Sequence, residues 1–146
     1  MALSNITNSN IHKNLIDKGF NNLNNIQNKI LKINENKKDL LVTSQTGSGK
    51  TIAYFLSIQK EILLKHVKNN SSPNVLIITP TRELAIQVYH EALWVFKGED
   101  IKVVTTIGGM EIRKERKNLL DKFSLLIGTP GRINDHLRKY KLILSN

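Results

Sequence analysis

The stretch Ser44-Gln45-Thr46-Gly47-Ser48-Gly49-Lys50-Thr51 decides the fold class of this 146-residue chain. A short apolar run at residues 39–43 precedes it and predicts a buried strand, and an amphipathic segment follows it and predicts a helix. Apart from the serine at its first position, the stretch fits the phosphate-loop pattern G-x-x-x-x-G-K-S/T, in the strand-to-helix context that such loops require. The sequence therefore predicts an α/β fold that binds a nucleotide; the open alternative is a glycine-rich turn without a ligand.

Four residues of this loop carry the chemistry of phosphate binding. Gly47 and Gly49 let the backbone curl so that successive N–H groups point at phosphate oxygens. Lys50 supplies a positive charge for the β- and γ-phosphates, and the Thr51 hydroxyl supplies a hard oxygen ligand for Mg²⁺. The helix that starts here adds the positive end of its dipole. We therefore predict Lys50 and Thr51 as catalytic residues and Thr51 as the metal ligand.

Strand, loop and helix alternate along the rest of the chain. Apolar, β-rich runs predict further strands at residues 75–79, 101–107 and 124–127. Helical spacing predicts helices at residues 11–18, 25–33, 81–96, 112–120 and 132–139, in addition to the helix after the loop. This alternation favours a parallel sheet with helices on both faces, in which ligands bind beyond the carboxyl ends of the strands. We expect the functional residues at that edge.

The same patterns predict helix ends and burial. Asn24 is expected to cap the helix at 25–33, and Gly19 to end the preceding helix in a left-handed turn. Tyr89 and Trp94 are expected to pack inside the protein instead of stacking on bases. The helix after the phosphate loop should face inward through Ile52, Phe55, Leu56, Ile62 and Leu63. The helix at 81–96 should do so through Leu84, Ala85, Val88, Ala92 and Val95.

Polar and charged segments predict the surface. Residues 68–74 are expected to form a surface loop, and the helix at 112–120, with the charged run at 113–117, is expected to be exposed. A path for RNA along that charged run is the alternative. The four histidines have no metal-ligand spacing, so we expect them on helix surfaces. They are His12, His66, His90 and His136.

Composition limits the class of protein and of partner. The net charge is +10, with 40% apolar and 23% charged residues, so we expect a soluble domain whose first partner is nucleic acid. The absence of cysteine excludes disulfides and zinc–thiolate sites. No apolar run is long enough to span a membrane, and residues 1–10 lack the apolar stretch of a signal peptide. An intracellular protein without a membrane partner is the expectation.

Five elements, in order along nearly the whole chain, resemble the motifs of DEAD-box RNA helicases. The segment from Gly19 to Gln27 resembles the Q motif, with Leu23-Asn24 in place of the usual proline and serine or threonine. The phosphate loop, with serine first, resembles motif I. The segment Pro80-Thr81-Arg82-Glu83-Leu84-Ala85 resembles motif Ia, Gly108-Gly109 the GG element and Thr129-Pro130-Gly131-Arg132 motif Ib.

The resemblance implies a RecA-like lobe of a phosphate-loop NTPase that uses ATP and Mg²⁺ and binds single-stranded RNA through its backbone, together with a second RecA-like lobe. The implied nucleotide-binding residues are Phe20, Gln27, Ser44, Gln45, Thr46, Gly47, Ser48, Gly49, Lys50 and Thr51. The implied RNA-binding residues are Pro80, Thr81, Arg82, Gly108, Gly109, Thr129, Gly131 and Arg132. A related DNA helicase and a binding fragment without activity are the alternative functions.

Each of these roles has a physical basis and a plainer alternative. The Gln27 amide can accept from the adenine N6 amine and donate to N7, or it can be a surface polar group on its helix. Arg82 can bind an RNA phosphate beside Thr81, or it can form an ion pair next to a helix cap. Gly109 and Gly131 can let an RNA backbone approach their N–H groups, or they can belong to ordinary turns.

The family's Asp-Glu-Ala-Asp element is absent from the sequence. We interpret residues 1–146 as part of one helicase ATP-binding domain, incomplete at its C-terminus, with a helical Q-motif region at 1–36 and the phosphate-loop sheet at 37–146. Since those carboxylates hold Mg²⁺ and position the attacking water in the family, we expect no ATP turnover by this chain alone. We also expect the strands at 75–79 and 124–127 to be short of a neighbour.

Overall fold

The computed structural model describes residues 6, 8–33, 39–63, 72–109, 111–139 and 142–144. These residues form two compact units. The first consists of the described residues within Met1–Gln59 and Trp94–Glu99, and the second of those within Lys60–Leu93 and Asp100–Asn146. No helix within the described ranges is both long enough and apolar enough to cross a bilayer.

The first unit is helical, and its first two helices begin at side-chain caps. Helix α1 (Ser9–Asp17) is capped by Asn8, whose side chain accepts from the Ile11 amide. Helix α2 (Asn25–Ile33) begins after Asn24, whose Oδ1 accepts from the Gln27 amide at 3.1 Å. Gly19 has a φ of +87°, as the left-handed turn requires. The predicted helix at 25–33 and both of its flanking signals are confirmed.

Helix α2 packs against helix α3 (Lys50–Ser57), which begins at the end of the phosphate loop. The rings of Phe55 and Phe96 meet edge to face, with centroids 5.5 Å apart. The predicted helix after the loop breaks at Ile58 and continues as α4 (Gln59–Leu63), in which Ile62 is buried and Leu63 is only partly so. The buried apolar residues around these helices are Ile11, Leu15, Leu23, Ile30, Ile52, Ala53, Phe55, Leu56, Val95 and Phe96.

The second unit is built on a parallel sheet. Its strands are β1 (Val75–Ile78), β2 (Val103–Thr106) and β3 (Leu125–Gly128), in the order β1-β3-β2. The register pairs Gly128 with both Ile78 and Thr106, so all three strands end at the same level. This arrangement, with helices α5 (Arg82–Val95), α6 (Ile112–Leu120) and α7 (Pro130–Lys139) following the strands, confirms the α/β fold class.

The core of this unit lies on the sheet, under helix α6. Strand β3 is buried along its whole length because it lies between the other two strands. Burial of these side chains removes apolar surface from water, at about 25 cal/mol per Å². The buried cluster consists of Val104, Leu119, Phe123, Leu126 and Leu142, with Leu76 packed against it.

Two of the predictions about strands are wrong. Residues 39–43 are not a strand in the structure, and Leu41 is 94% exposed. A strand needs a neighbour for its backbone N–H and C=O groups, and none of the described strands pairs with this run. The strand near 124–127 is not short of a neighbour, since β3 pairs on both sides; β1 has one partner within the described sheet.

Four of the predictions about burial are also wrong. Leu84 is 37% exposed because it lies at the edge of the stripe that Ala85, Val88, Ala92 and Val95 bury on α5. Helix α6 has the predicted bounds, but Glu115 within its charged run is buried, and so is His136 on α7. The predicted surface loop at 68–74 is buried at Ser72 and Pro73, and its residues 68–71, like His66, lie outside the described residues.

Candidate functional site

The phosphate loop owes its course to two glycines with positive φ. Gly47 has a φ of +78° and Gly49 a φ of +80°, a region that residues with a Cβ adopt at a cost of about 1–2 kcal/mol. Within the loop the Ser48 amide donates to the Gln45 carbonyl at 3.3 Å, and the hydroxyls of Ser44 and Ser48 lie 2.6 Å apart. The loop ends at Gly49, which is the N-cap of α3 and makes no side-chain cap hydrogen bond.

The Lys50 side chain bonds back to the start of this loop. Its Nζ donates to the carbonyl of Ser44 at 2.7 Å and to that of Gln45 at 2.6 Å. The ammonium group therefore sits against the loop, in reach of an anion held by the N–H groups at the start of α3. Thr51 is half-buried on the first turn of the same helix. The two predicted catalytic residues are thus adjacent and positioned by one helix.

The Q-motif segment contacts the loop directly. The Asn24 Nδ2 donates to the Ser48 carbonyl at 2.8 Å, and the Gln27 Nε2 lies 3.4 Å from the Gly49 carbonyl. A Cβ on Gly49 would come within 2.7 Å of Asn24 Nδ2 and 2.8 Å of Gln27 Nε2. Glycine at position 49 is therefore required both by its backbone conformation and by the close approach of these two amides.

Gln27 makes hydrogen bonds at the start of its own helix as well as with the loop. Its Oε1 accepts from the Asn24 amide at 2.9 Å, while Asn24 Oδ1 accepts from the Gln27 amide, which makes a reciprocal capping box. Gln27 is 1% exposed. Both ends of its side-chain amide face groups of this chain, so pairing with adenine would require the amide to exchange one of these contacts and stays a prediction.

The Phe20 side chain packs on a tryptophan. Its ring is stacked on that of Trp94, with centroids 6.1 Å apart, and the Lys18 Nζ lies 5.4 Å from the Trp94 ring centroid. This arrangement agrees with the packing role expected for Trp94.

The backbone and the polar side chains of the loop suit a nucleotide that carries Mg²⁺. Helix-start N–H groups and Lys50 suit phosphate oxygens, and Thr51 offers the hard oxygen that Mg²⁺ prefers. Among the described residues no group of three or more histidine, cysteine, aspartate or glutamate side chains could hold a metal ion. Thr51 and the nucleotide phosphates are groups that would hold Mg²⁺ here.

A second set of predicted residues lies at the carboxyl edge of the sheet, by which we mean residues 79–82, 107–109 and 129–132, which follow β1, β2 and β3 along the chain. Strand pairing continues into this edge, where the Thr79 amide donates to the Gly128 carbonyl at 2.9 Å. The Thr129 amide donates to the Thr106 carbonyl at 3.1 Å. The three predicted RNA-binding elements are therefore brought to one edge by the sheet.

Arg82 and Gly109 are in direct contact at this edge. Gly109 has a φ of +84°, and a Cβ on it would come within 2.6 Å of the Arg82 Cζ and Nη2. Gly108, by contrast, has open space around its Cα. The guanidinium group of the motif Ia arginine thus lies over the second glycine of the GG element, where a Cβ would have to displace it.

Thr81 caps the start of helix α5, which is the alternative to RNA binding given above for this segment. Its Oγ1 accepts from the Leu84 amide at 3.2 Å and its carbonyl accepts from the Ala85 amide at 3.1 Å. Its carbonyl also accepts from the Thr79 hydroxyl at 3.1 Å. Pro80 and Gly131 are exposed, and nothing lies within 4 Å of a Cβ built on Gly131.

Arg132 lies in a buried ionic cluster that the sequence patterns did not indicate. Its Nε donates to Glu115 Oε2 at 2.8 Å, and the two side chains are only 10% and 2% exposed. The same oxygen lies 2.8 Å from Nε2 of His136, which is fully buried. The other oxygen, Oε1, accepts from the Ile107 amide at 3.2 Å. A lone glutamate in a basic run gives no sequence signal for such a cluster.

Comparisons with known proteins match most of the chain. The family model for DEAD/DEAH box helicases matches residues 24–146, which include both the phosphate loop and the carboxyl edge. The ATP-dependent RNA helicase DBP4 of Meyerozyma guilliermondii is 30% identical over 128 residues, 88% of this chain and 17% of that protein. The DEAD-box ATP-dependent RNA helicase RhpA of Helicobacter pylori is 34% identical over 130 residues, 89% of this chain and 25% of that protein. The chain thus spans about a fifth of the length of the curated relatives it matches.

Solved structures show the same likeness in three dimensions. A crystal structure of a hypothetical ATP-dependent RNA helicase from Sulfolobus tokodaii matches 91% of this chain and 37% of its own, with a TM-score of 0.77 and 30% identity. The RNA helicase Prp28 from Chaetomium thermophilum, bound to ADP, matches 94% of this chain and 34% of its own, with a TM-score of 0.84 and 28% identity. Given the matching family model, the shared RecA-like fold and the motifs at both sites, the chain belongs to the DEAD/DEAH box helicase family.

Proposed function

We propose that the chain is the nucleotide- and RNA-binding part of a DEAD-box ATP-dependent RNA helicase, which couples ATP binding and hydrolysis to the binding and unwinding of RNA strands. The observation that carries the proposal is the contact between the Q-motif segment and the phosphate loop, in which Asn24 and Gln27 hold the carbonyls of Ser48 and Gly49. We further propose that residues 1–146 belong to one helicase ATP-binding domain, with the Q-motif region at 1–36 and the remainder at 37–146.

In this proposal the phosphate loop binds ATP. The N–H groups of residues 46–51 and the Lys50 ammonium hold the phosphates, and Thr51 provides one oxygen to Mg²⁺. Lys50 can exchange its hydrogen bonds to the carbonyls of Ser44 and Gln45 for phosphate oxygens, because a charge-assisted bond to phosphate is stronger than one to a neutral carbonyl. The bound nucleotide with Mg²⁺ supplies the phosphoryl group that the full enzyme transfers to water.

In this proposal the carboxyl edge of the sheet binds the sugar–phosphate backbone of RNA. Arg82 is exposed beside Gly109, and the exposed Gly131 leaves space for a strand to approach the start of α7. A positive charge and backbone N–H groups contact phosphates without selecting bases, which supports binding that is independent of sequence. The chain's charge of +10 adds a general attraction to polyanions.

We also propose that the 146-residue chain binds nucleotide without hydrolysing it, because its sequence contains no Asp-Glu-Ala-Asp element. Hydrolysis would require metal-binding carboxylates and a positioned water, together with the second RecA-like lobe as a partner.

The RNA part of the proposal is tested by substituting Arg82. Arg82→Ala should lower the affinity for single-stranded RNA several-fold in every sequence tested, and should flatten the dependence of log K on log salt by about 0.7, the share of one phosphate contact. The matched control is Arg113→Ala, which removes the same charge from an exposed position on α6. An equal loss in both variants, or a loss for one RNA sequence only, would contradict the proposal. Tighter binding of single-stranded DNA than of RNA would favour the DNA helicase alternative.

A further inference from the structure

Glu115 differs from every charged neighbour on its helix. Arg113, Lys114, Arg116 and Lys117 are exposed, whereas Glu115 is 2% exposed and lies on the side of α6 that faces the sheet. Moving a carboxylate out of water is costly unless charged and hydrogen-bonding partners compensate. A buried glutamate in a run of surface charges therefore indicates a specific set of partners.

These partners lie in or next to two of the three predicted RNA-binding elements. Oε1 accepts from the amide of Ile107, the residue directly before Gly108-Gly109. Oε2 accepts from the Nε of Arg132, the arginine of motif Ib, and lies against His136 Nε2 one turn further along α7. Because the carboxylate can only accept, this imidazole nitrogen carries the proton. One side chain thus fixes the start of the GG loop relative to the arginine on α7.

The third element joins the same chain of contacts through Gly109. The Arg82 guanidinium lies over Gly109, two residues after the amide that Glu115 holds. A shift of residues 107–109 would move the surface on which Arg82 rests, and loss of the Arg132 contact would change the direction of that guanidinium group. All three elements therefore depend on the position of one carboxylate, which is itself too deeply buried to contact RNA.

We propose that Glu115 is a positioning residue for RNA-backbone binding: it holds the GG loop and Arg132 at the separation that lets them, with Arg82, contact successive phosphates of one strand. The inference rests on the proposed function, since it assigns the means by which that same edge is kept in register. Glu115 itself does not touch RNA.

The test compares Glu115→Gln with Glu111→Gln in the 146-residue chain. Both variants lose one negative charge from the α6 region, but Glu111 is an exposed N-cap residue whose carboxylate pairs only with Lys114 among the ion pairs described. Glu115→Gln should weaken single-stranded RNA binding about tenfold and flatten the slope of log K against log salt by about 0.7 to 1.4, one to two phosphate contacts. Glu111→Gln should leave the slope unchanged, and both variants should keep the wild-type affinity for Mg-ADP.

A second variant guards against a loss of fold. Glu115→Asp keeps the charge but is one methylene shorter, so it cannot reach both the Ile107 amide and Arg132; it should flatten the slope like Glu115→Gln while retaining a cooperative thermal transition. If the wild-type chain binds no RNA, the proposed function fails and this inference with it. If the wild type binds RNA and both Glu115 variants bind with the same affinity and slope, the proposed function stands and the positioning role is refuted. Unfolding of both variants would also contradict it, because Glu115 would then hold the fold and not the RNA-binding elements.

Discussion

The phosphate loop and the carboxyl edge of the sheet hold their binding groups in place by different means. In the loop, backbone conformation dominates: two glycines with φ near +80° shape it, and its side-chain contacts go to carbonyl oxygens. At the carboxyl edge, side chains dominate: a buried carboxylate joins Ile107, Arg132 and His136. A short stretch of sequence determines the backbone conformation of the loop, whereas the side-chain contacts at the carboxyl edge depend on residues that are far apart in the chain.

The difference follows from what each site has to bind. A phosphate held by helix-start N–H groups needs a backbone that curls at one place, which glycine provides within a few residues. A strand of RNA presents a row of phosphates, so its contacts must come from several loops kept at fixed distances. Parallel strands bring such loops to one edge, and buried side chains then set their separation.

Among the glycine substitutions, the largest expected effect is that of Gly49→Ala, which tests the role of the backbone in the loop. A methyl group at this position would have to adopt a positive φ and would also meet Asn24 Nδ2 at 2.7 Å and Gln27 Nε2 at 2.8 Å. We expect at least a hundredfold loss of Mg-nucleotide affinity, measured by calorimetry.

The matched control is Gly47→Ala, because Gly47 has the same φ but open space around its Cα. It should destabilise the chain by about 1–2 kcal/mol from strain alone and weaken nucleotide binding much less. Equal losses in the two variants would show that the contact with the Q-motif segment contributes nothing.

A smaller effect is expected at the carboxyl edge from Gly109→Ala. The added methyl group would displace the Arg82 guanidinium from its place over Gly109, so RNA affinity should fall by roughly the factor that Arg82→Ala causes. Gly108→Ala is the control, since its Cα faces open space. Fluorescence anisotropy with a labelled single-stranded RNA measures both affinities. Equal affinity of the Gly109→Ala variant and the wild type would show that the position of Arg82 over Gly109 does not contribute to RNA binding.

The smallest effect concerns an exposed ion pair in the second unit, which contrasts with the buried one at Glu115. The hydrogen bond from Lys102 and its charge, with a further contribution from Lys117, hold the pKa of Asp121 below its ordinary value. A lowered pKa stabilises the folded state above the unfolded pKa of about 3.9, and this contribution is lost as the pH falls through the folded value. Asp121→Asn should therefore melt slightly below the wild type at pH 7, and the two melting temperatures should converge as the pH falls below the lowered pKa of Asp121. A difference that does not shrink with falling pH would assign the effect to something other than this charge.

Local sequence signals predicted most of the helices. The Asn24 cap and the following apolar spacing placed α2 at its observed bounds, and the charged helix α6 was also placed correctly. These signals act within a few residues, so a single segment contains all the information they need.

Burial that depends on distant partners could not be predicted in this way. Glu115 meets Arg132 and His136 across 17 and 21 residues, and helical spacing alone assigns a glutamate among lysines and arginines to solvent. The run at 39–43 has the composition of a strand, yet composition does not provide the neighbouring strand that its backbone needs. Both errors concern tertiary partners, not local propensity.

The most direct test of nucleotide binding at the phosphate loop is a titration of the chain with Mg-ADP and Mg-ATP, compared with the same titration of Lys50→Ala. Lys50 is the single positive side chain that bonds the loop carbonyls of Ser44 and Gln45 in the described structure, and it precedes Thr51 on the first turn of α3. We expect saturable binding of both nucleotides by the wild type and no measurable binding by Lys50→Ala, with the thermal transition of the variant retained. Unchanged nucleotide affinity in Lys50→Ala would contradict the assignment of this loop as the ATP site.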